Sequence, residues 1–329
     1  MINNPDVSVV IPTLGRTKEL EDCLTAIGKQ DFVGLEIVVV TDNNQRLKFL
    51  EDKYNGLNIT IIQQDKKGLA SARNAGLAAA RGKIVSFIDD DVEVSAGWAK
   101  EVVDTFKVSE SIGGVSGPTE IPLDIASNRD LLAFHEKISK GIIWKIIGRI
   151  YTVFILERSA DSVGRIFRSG AFSVGSNYDK SAKLPGNIEV DYLEACNMSF
   201  RREILLKTGG FSPEYKGIGD WSEPDLAFRV HQAGYRLVFN PKAAVIHRIS
   251  CKGVFQQRGD DSFQRMVNFV HFYFKWMRPF NPDKLMRFSL NLMFTNCYWF
   301  YKFAQTGKLA WLSGVSGTFA GLRSELCRL

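Results

Sequence analysis

Predicted strands and helices alternate over the first hundred residues, and this alternation restricts the fold more than any other feature of the sequence. Apolar runs rich in β-branched residues predict strands at 7–11, 35–40, 59–62 and 83–88. Apolar residues at helical spacing predict a helix around 20–27, and an Ala-rich segment predicts another at 69–80. Strands alternating with helices predict a mostly parallel, twisted sheet with right-handed crossovers. The expected fold class is therefore α/β.

The rest of the chain is expected to complete this domain and then add a helical extension. Within residues 120–185, the apolar but charged stretch 142–155 is too short for a membrane span and predicts an amphipathic or flexible insertion beside the cleft. Regular structure is expected again in 189–200, 203–208, 224–233, 237–239 and 245–247. We expect the α/β domain to span 1–250 and the helical extension to span 251–329.

Positive charge is concentrated in that extension. The chain has a net charge of +6, and residues 251–329 contain 11 basic and 4 acidic side chains, so the remainder is close to neutral. The extension is also rich in Phe, Tyr and Trp, and its uncharged stretches 288–301 and 309–322 fall short of the ~20 residues that a spanning helix needs. This composition favours helices lying on an anionic membrane, or else an arm that packs on protein or forms a homo-oligomer. No motif for binding RNA or DNA accompanies it, so no nucleic-acid partner is expected.

Cysteine and histidine usage argues against several other kinds of site. The five cysteines are scattered without CxxC spacing and the chain has four histidines. Neither a disulfide framework nor a cysteine or multi-histidine zinc centre is therefore expected. The polar first residues predict no signal peptide. The expected location is the cytoplasm, on the cytoplasmic face of a membrane.

Three consecutive carboxylates, Asp89 to Asp91, follow the predicted strand at 83–88. Open α/β sheets bind ligands at the carboxyl ends of their strands. Thr13 and Asp42 follow earlier strands, so they are expected to line the same crevice. Crowded carboxylates repel one another unless a cation is present, and oxygen donors suit Mg²⁺ or Mn²⁺ acting with substrate phosphates. A polar loop that caps the next helix is the alternative interpretation.

The start of the Ala-rich helix is a second candidate site. Gly68 would let a ligand approach the backbone closely, and the free N–H groups of a helix start favour a phosphate. Arg73, expected on the first turn, could reach a nucleotide. An ordinary helix packed on the sheet, with a surface arginine, would have the same sequence.

A second acidic cluster, residues 220–225, begins another predicted helix. Glu223 precedes Pro224 and is expected to be extended, from where it could project into the cleft as a general base. Asp225 is equally compatible with helix capping and with chemistry. His247 ends a predicted strand. A lone histidine is more often a structural residue than a metal ligand, but with a cation held nearby by carboxylates the two roles are equally expected.

These residues belong to a longer ordered set of motifs. The set comprises residues 7–13, Asp42, 68–74, 89–91, 197–202, 209–211, 223–229 and 244–247. In this order, over roughly residues 5–248, the chain resembles the family 2 glycosyltransferases, which have the nucleotide-sugar-binding GT-A fold. The resemblance implies a metal-dependent, inverting transfer of a sugar from a nucleotide-diphosphate donor, with a UDP-sugar expected. The acceptor would be a saccharide or lipid-linked saccharide in the synthesis of a surface polysaccharide or glycoconjugate.

The resemblance also implies roles for the matching residues. Those that would bind the nucleotide sugar are Pro12, Thr13, Asp42, Gly68, Arg73, Asp89 and Asp90. Asp91 would bind Mn²⁺ or Mg²⁺ on the diphosphate, with His247 as a second ligand. Glu223 would be the catalytic base, with Asp225 as a further candidate. Those that would border the sugar or acceptor pocket are Asn197, Met198 and Trp221.

Two departures from the family pattern and three rival functions bear on this interpretation. Asn43 and Asn44 stand where the family usually has Gly-Ser, which leaves the nucleoside open, and Ser222 stands where many members have a first acid. A dinucleotide oxidoreductase is disfavoured because no G-x-G-x-x-G follows the first strand. A nucleotidyltransferase could share the fold and the metal. A membrane-bound, non-catalytic scaffold could retain the domain, but the intact acids at Asp89, Asp91 and Glu223 disfavour it.

Overall fold

The computed structural model describes residues 5–66, 68–122, 142–159, 161–173, 175, 179–249 and 261–328. The chain forms two compact units. The first comprises Met1–Pro122, Ser176–Glu214 and Ser222–Lys252, and the second comprises Leu123–Gly175, Tyr215–Trp221 and Gly253–Leu329. The second unit thus takes two stretches from before residue 250, and the division of the chain at that residue stays a prediction.

The strands of the first unit form two sheets. In chain order they are β1 (Val7–Thr13), β2 (Leu35–Thr41), β3 (Ile59–Gln63), β4 (Ile84–Phe87), β5 (Val92–Val94), β6 (Ile112–Ser116), β7 (Thr119–Glu120), β8 (Ile188–Val190), β9 (Met198–Arg201), β10 (Arg236–Phe239) and β11 (Val245–His247). The larger sheet has the order β3-β2-β1-β4-β9-β6-β10-β8, and the smaller has the order β5-β11-β7. β3, β2, β1 and β4 are mutually parallel, whereas β9 runs antiparallel between β4 and β6.

Helices flank the sheet and form most of the second unit. They are α1 (Thr17–Gly28), α2 (Phe49–Lys53), α3 (Leu69–Ala79), α4 (Trp98–Val108), α5 (Ile142–Ile150), α6 (Asp179–Ala182), α7 (Arg202–Thr208), α8 (Ser222–Gln232), α9 (Ser262–Trp276), α10 (Pro282–Thr306) and α11 (Ser313–Leu326). Short 3₁₀ segments occur at Asn44–Arg46 and Leu309–Leu312, and a π-helical turn, Tyr151–Ile155, follows α5.

The core of the first unit explains why these helices form. The apolar residues of α1 that recur at helical spacing are all buried against the sheet, namely Leu20, Cys23, Leu24 and Ile27. Helix α3 lies so close to β1 that a Cβ at Gly76 would be 2.2 Å from Cγ1 of Val10. Because parallel neighbours share their direction, the carboxyl ends of β1, β2 and β4 lie at one edge of the sheet. The packing of α1 and α3 on these strands holds that arrangement.

Aromatic packing holds the second unit together. Tyr273 of α9 stacks on Phe288 of α10 with ring centroids 3.7 Å apart. Small residues of α11 allow close approach: a Cβ at Gly314 would lie 2.7 Å from the Trp299 indole, and one at Gly317 would lie 2.3 Å from the Phe263 carbonyl oxygen. Within the described residues, none of the helices combines the length and apolar character needed to cross a bilayer.

The predicted α/β class, the mostly parallel sheet and the helical C-terminal part are confirmed. One expected stretch differs: residues 189–200 contain two separate strands, β8 and β9, that pair with different neighbours. The apolar stretch 142–155 is helical, as α5 and the turn after it, while residues 123–141 lie outside the described part of the chain.

Candidate active site and metal centre

Two strand ends bring the acidic triplet and His247 together. The triplet begins two residues after β4, and the chain then enters β5. Because β5 pairs antiparallel with β11, with Val92 opposite His247, the histidine reaches the last acid of the triplet: its Nε2 lies 3.1 Å from Oδ1 of Asp91. This pairing of strands that are distant in the sequence brings the acidic triplet and His247 into one cluster.

Asp89, Asp91 and His247 have the geometry of a metal centre. One ligand atom from each of the three lies within 4.8 Å of the others. Asp91 is buried, whereas the side chains of Asp89 and His247 are 27% and 14% exposed, so two of the three are partly accessible to solvent. Two carboxylates and an imidazole suit Mn²⁺ or Mg²⁺, which keep further positions for water and phosphate oxygens. The residues present therefore fit such an ion.

Burial and mutual repulsion perturb the acids of this centre. Burial raises the pKa of Asp89, with Asp91 adding to the rise and Arg73 opposing it. Burial likewise raises the pKa of Asp90 to about 7 against the influence of Arg16. For His247, burial acts to lower the pKa, but Cys196 and the hydrogen bond to Asp91 outweigh it, so the pKa lies well above its usual value. A divalent cation would relieve the repulsion between the carboxylates.

Arg16 is a residue of this site that the sequence reasoning missed. Its Nε donates to Oδ2 of Asp90 at 3.1 Å and its Nη1 donates to Oδ2 of Asp91 at 2.9 Å. Thr13 Oγ1 donates to the same Asp90 oxygen at 2.6 Å. The available signal was position: Arg16 lies in the loop after β1, at the same sheet edge as the triplet. Asp90 is thus held by the last residue of β1 and by one residue of the loop that follows it.

Arg73 and Glu223 form a buried ion pair next to the triplet. Arg73 is 1% exposed, lies 3.7 Å from Asp89 Oδ1, and donates from Nη2 to the Ala195 carbonyl oxygen at 3.1 Å. Its guanidinium also lies over the Phe211 ring, 5.2 Å from the centroid. The arginine therefore links the proposed base to the acidic centre.

The local structure around this pair corrects two expectations. Glu223 is not extended: it lies in the first turn of α8, because Pro224 is compatible with that turn and the helix begins at Ser222. Arg73 is the fifth residue of α3 and therefore lies beyond its first turn, where its neighbours bury it. Burial also excludes the alternative of an ordinary surface arginine.

Asp225 is fully buried and bonded within its own helix. Arg229, one turn later, donates from Nε to Asp225 Oδ2 at 2.8 Å. Arg229 lies 19% exposed beside it. These contacts describe an internal ion pair of α8; a catalytic role for Asp225 stays a prediction.

The residues predicted to border the acceptor pocket have interior contacts. Asn197 is 1% exposed, accepts from Trp98 Nε1 at 3.1 Å and donates to the Ala243 carbonyl oxygen at 2.9 Å. Met198 is buried in β9. Trp221 belongs to the second unit, where it stacks on Phe269 with centroids 4.8 Å apart. Their role at a pocket stays a prediction.

The remaining nucleotide-site candidates lie at strand ends and at the start of α3. Pro12 and Thr13 are buried at the end of β1, and Thr13 is opposite Thr41 of β2. Asp42 follows Thr41 and is exposed. Gly68 precedes α3 with φ 118°, and an added Cβ would meet no atom within 4 Å. The hydrogen bond from Thr13 to Asp90 places Thr13 in contact with the triplet. Contact of Asp42 and Gly68 with a nucleotide stays a prediction.

The central sheet and its flanking helices have the GT-A type of fold. The chain resembles the solved structure of the mannosyltransferase PcManGT from Pyrobaculum calidifontis in complex with GDP-Man and Mn²⁺. The TM-score is 0.54 and the sequence identity 18%, covering 99% of this chain and 88% of that one. This likeness shows the fold.

Residues 8–164 match the family Glycosyl transferase family 2. The chain is 35% identical over 161 residues to the GalNAc(5)-diNAcBac-PP-undecaprenol beta-1,3-glucosyltransferase of Campylobacter jejuni, covering 46% of this chain and 52% of the relative. It is 22% identical over 253 residues to the glucosyl-dolichyl phosphate glucuronosyltransferase of Haloferax volcanii, covering 74% and 69% respectively. A family 2 glycosyltransferase domain is therefore present over residues 8–164.

Proposed function

We propose that the protein is a metal-dependent, inverting glycosyltransferase that moves a sugar from a nucleoside diphosphate to a hydroxyl of a lipid-linked saccharide. The observation that carries the proposal is the buried Arg73 guanidinium, which lies against Glu223 on one side and Asp89 on the other. A candidate base and a candidate metal centre are thereby adjacent, as a single-displacement reaction requires.

Asp89, Asp91 and His247 are the residues that would hold Mn²⁺ or Mg²⁺. A bound divalent ion would neutralise the negative charge that develops on the leaving nucleoside diphosphate. Arg16 fixes one oxygen of Asp91, so that the other faces His247. The neighbouring Asp90 is held by Thr13 and Arg16 and keeps the loop after β1 against the triplet.

Glu223 is the proposed general base. An acceptor hydroxyl is a weak nucleophile at neutral pH, and a positioned carboxylate that takes its proton typically contributes ~10²–10⁴-fold in rate. The hydroxyl oxygen would form the new bond to the anomeric carbon while the bond to the nucleoside diphosphate breaks, so the anomeric configuration inverts. Arg73 positions the carboxylate, since it is itself held by Ala195 and Phe211.

The acceptor proposal is supported by the names of two relatives and by charge. One relative acts on an undecaprenol-linked saccharide and the other is named for a dolichyl phosphate. Such acceptors lie at a membrane, and the excess of basic side chains in residues 251–329 suits an anionic membrane surface. We propose a peripheral enzyme at the cytoplasmic face, and a UDP-sugar as donor, with a GDP-sugar as the other candidate because the Pyrobaculum structure contains GDP-Man.

A panel of nucleotide sugars tests the proposal. Purified protein is incubated with each donor and Mn²⁺, with and without a lipid-linked acceptor, and the nucleoside diphosphate and the anomeric configuration of the product are measured. Release of nucleoside diphosphate with an inverted product supports the proposal. Formation of pyrophosphate from a nucleoside triphosphate would favour a nucleotidyltransferase, and no turnover of any donor would favour a non-catalytic scaffold.

A further inference from the structure

Both carboxylate oxygens of Asp91 are engaged by side chains of the candidate site. Oδ1 lies 3.1 Å from Nε2 of His247, and Oδ2 accepts from Nη1 of Arg16 at 2.9 Å. The backbone is held as well, since the N–H of Arg248 donates to the Asp91 carbonyl oxygen at 2.9 Å. Asp91 is buried, so a different rotamer would have to displace these partners. The carboxylate is therefore fixed with one particular oxygen on the side of His247.

The guanidinium of Arg16 is itself held in place by the neighbouring carboxylate. Its Nε donates to Oδ2 of Asp90 at 3.1 Å, and its Nη2 forms an ion pair with Oδ1 of the same residue. Asp90 is buried and also accepts from Thr13 Oγ1 at 2.6 Å. A planar guanidinium presents its donors in a rigid fork. Because Asp90 takes one side of that fork, Nη1 is the group directed at Asp91.

This arrangement leaves Asp91 one oxygen for an ion in the centre that it forms with Asp89 and His247. The ligand atoms of that centre lie within 4.8 Å of one another, and Oδ1 is the Asp91 oxygen beside the histidine nitrogen. An ion bound by both oxygens would lie against the Arg16 guanidinium, which has a like charge. Asp91 is therefore expected to bind a metal through Oδ1 alone.

The number of carboxylate oxygens that an ion requires separates Mn²⁺ and Mg²⁺ from Ca²⁺. Ca²⁺ takes about six to eight oxygen ligands at about 2.3–2.6 Å and often binds both oxygens of one carboxylate. Mg²⁺ needs a near-octahedral shell at about 2.0–2.1 Å, and Mn²⁺ also accepts octahedral coordination. Adjacent ligand atoms of such an octahedron are about 3.0 Å apart, close to the 3.1 Å between Asp91 Oδ1 and His247 Nε2.

We propose that Arg16 determines the metal selectivity of this centre, because it restricts Asp91 to a single oxygen and thereby disfavours Ca²⁺ relative to Mn²⁺. The inference rests on the proposed metal-dependent function and assigns the choice of ion to a residue outside the ligand set. Arg16 is a positioning residue, since it acts on the ion through Asp91. If Arg16 only neutralised the charge of the triplet, its removal would change the affinities for both ions by the same factor.

Binding of the metal alone to the full-length protein tests the inference. The electron paramagnetic resonance signal of free Mn²⁺ gives the affinity for Mn²⁺, and displacement by Ca²⁺ gives the affinity for Ca²⁺. Wild type should prefer Mn²⁺. In Arg16→Met, Oδ2 of Asp91 is released, and the ratio of the Mn²⁺ affinity to the Ca²⁺ affinity should fall by about tenfold, as for other residues that orient metal ligands. The ratio is the decisive quantity, because a loss of charge or of stability acts on both ions alike.

Two further variants keep the test decisive. Arg16→Met combined with Asp90→Asn removes both charges of the pair, so the protein can fold without a buried, unpaired carboxylate, and its affinity ratio should fall in the same way. Thr13→Val is the matched control, because it removes a hydrogen bond to Asp90 and leaves the contact between Arg16 and Asp91 in place. Its ratio should equal that of wild type. An unchanged ratio in both Arg16 variants, or an equal fall in Thr13→Val, would overturn the inference.

Release of nucleoside diphosphate from a nucleotide sugar, measured with Mn²⁺, separates this inference from the proposed function. Turnover by wild type together with an unchanged affinity ratio in the Arg16 variants would refute the role of Arg16 alone. Selective Mn²⁺ binding that depends on Arg16, without turnover of any donor, would refute the proposed function alone. A wild-type protein that binds Ca²⁺ as tightly as Mn²⁺ would also overturn the inference.

Discussion

Arg73 and Glu223 are separated by 150 positions in the sequence and meet in a buried ion pair. The pair lies beside the acidic centre, and the proposed transfer reaction depends on it. Arg73 also lies near Asp89, so one guanidinium contacts both the proposed base and the acidic centre. Two predictions follow from contacts of individual residues at this site.

Glu223→Gln is expected to reduce turnover by about 10²–10⁴-fold, because the amide keeps the shape of the side chain but cannot accept the proton. Donor binding should persist. Turnover is measured by product formation and donor affinity by calorimetry in the presence of Mn²⁺. Glu203→Gln, at an exposed position in the first turn of α7, is the control and should leave both unchanged. Normal turnover in Glu223→Gln would transfer the role of base to Asp225 or Asp220.

Arg16→Met is expected to destabilise the folded protein. The variant removes the cation from Asp90, which is 0% exposed, and leaves a buried carboxyl group short of a partner, at a cost of about 1–3 kcal/mol. Denaturant unfolding measures the change. Lys100→Met is the control: its ion pair with Asp104 lies on the surface of α4, and no measurable change is expected. Equal stability of Arg16→Met and wild type would contradict the structural role of the Arg16–Asp90 pair.

Single elements of this fold follow from the pattern of the sequence. The apolar spacing in α1 and the runs of β-branched residues in β1, β2 and β4 depend on local periodicity, and they are found where they were predicted. The strand pair β5–β11 could not be predicted, because three-residue strands have little periodicity. That pair is what brings His247 to Asp91, so the contact between the histidine and the triplet could not be predicted.

The same limit explains why the role of Arg16 was missed and the surroundings of Arg73 were not foreseen. A single arginine in a loop has no periodic signal, and its partners are 74 and 75 positions away. Arg73 was expected on the first turn of its helix, whereas its burial depends on Phe211 and Ala195, which come from segments far along the chain. Motif order located the site, but only tertiary contacts could assign the bonding of each residue.

Gly76→Ala tests the contact between α3 and β1. The new Cβ would lie 2.2 Å from Val10 Cγ1, which forces the helix or the strand to move. Overpacking of this kind costs about 1–3 kcal/mol, seen as a lower denaturation midpoint. Gly56→Ala is the matched control, since its Cβ would meet no atom within 4 Å. Unchanged stability of Gly76→Ala would show that the helix is not packed as closely as described.

At the scale of the whole molecule, the acidic candidate site and the basic, aromatic helices belong to different parts of the chain. The acidic centre and the ion pair belong to the first unit, while the basic, aromatic helices belong to the second. The sequence indicates only the different composition of residues 251–329. It did not predict that residues 215–221, directly before the helix of Glu223, would be counted with the second unit, since neither composition nor motif marks that stretch.

Binding of the full-length protein to anionic vesicles is expected to fall with ionic strength. The basic excess of residues 251–329 attracts anionic lipid, and exposed charges are screened over about 10 Å at 0.1 M salt but only about 3 Å at 1 M. Co-sedimentation across a salt series measures the dependence. Neutral vesicles are the control and should bind weakly at every salt concentration. Binding that is equally strong to neutral and anionic vesicles would contradict an electrostatic contribution.

The most direct test of the central claim is the release of nucleoside diphosphate from a nucleotide sugar by wild type and Asp91→Asn. Wild type should release it with Mn²⁺ and stop when excess EDTA is added. Asp91→Asn should be inactive with Mn²⁺, because it replaces a charged ligand of the proposed centre, whereas Asp104→Asn on the surface of α4 should match wild type. Turnover that persists in EDTA, or an Asp91→Asn variant as active as wild type, would contradict the metal-dependent transferase proposed for this site.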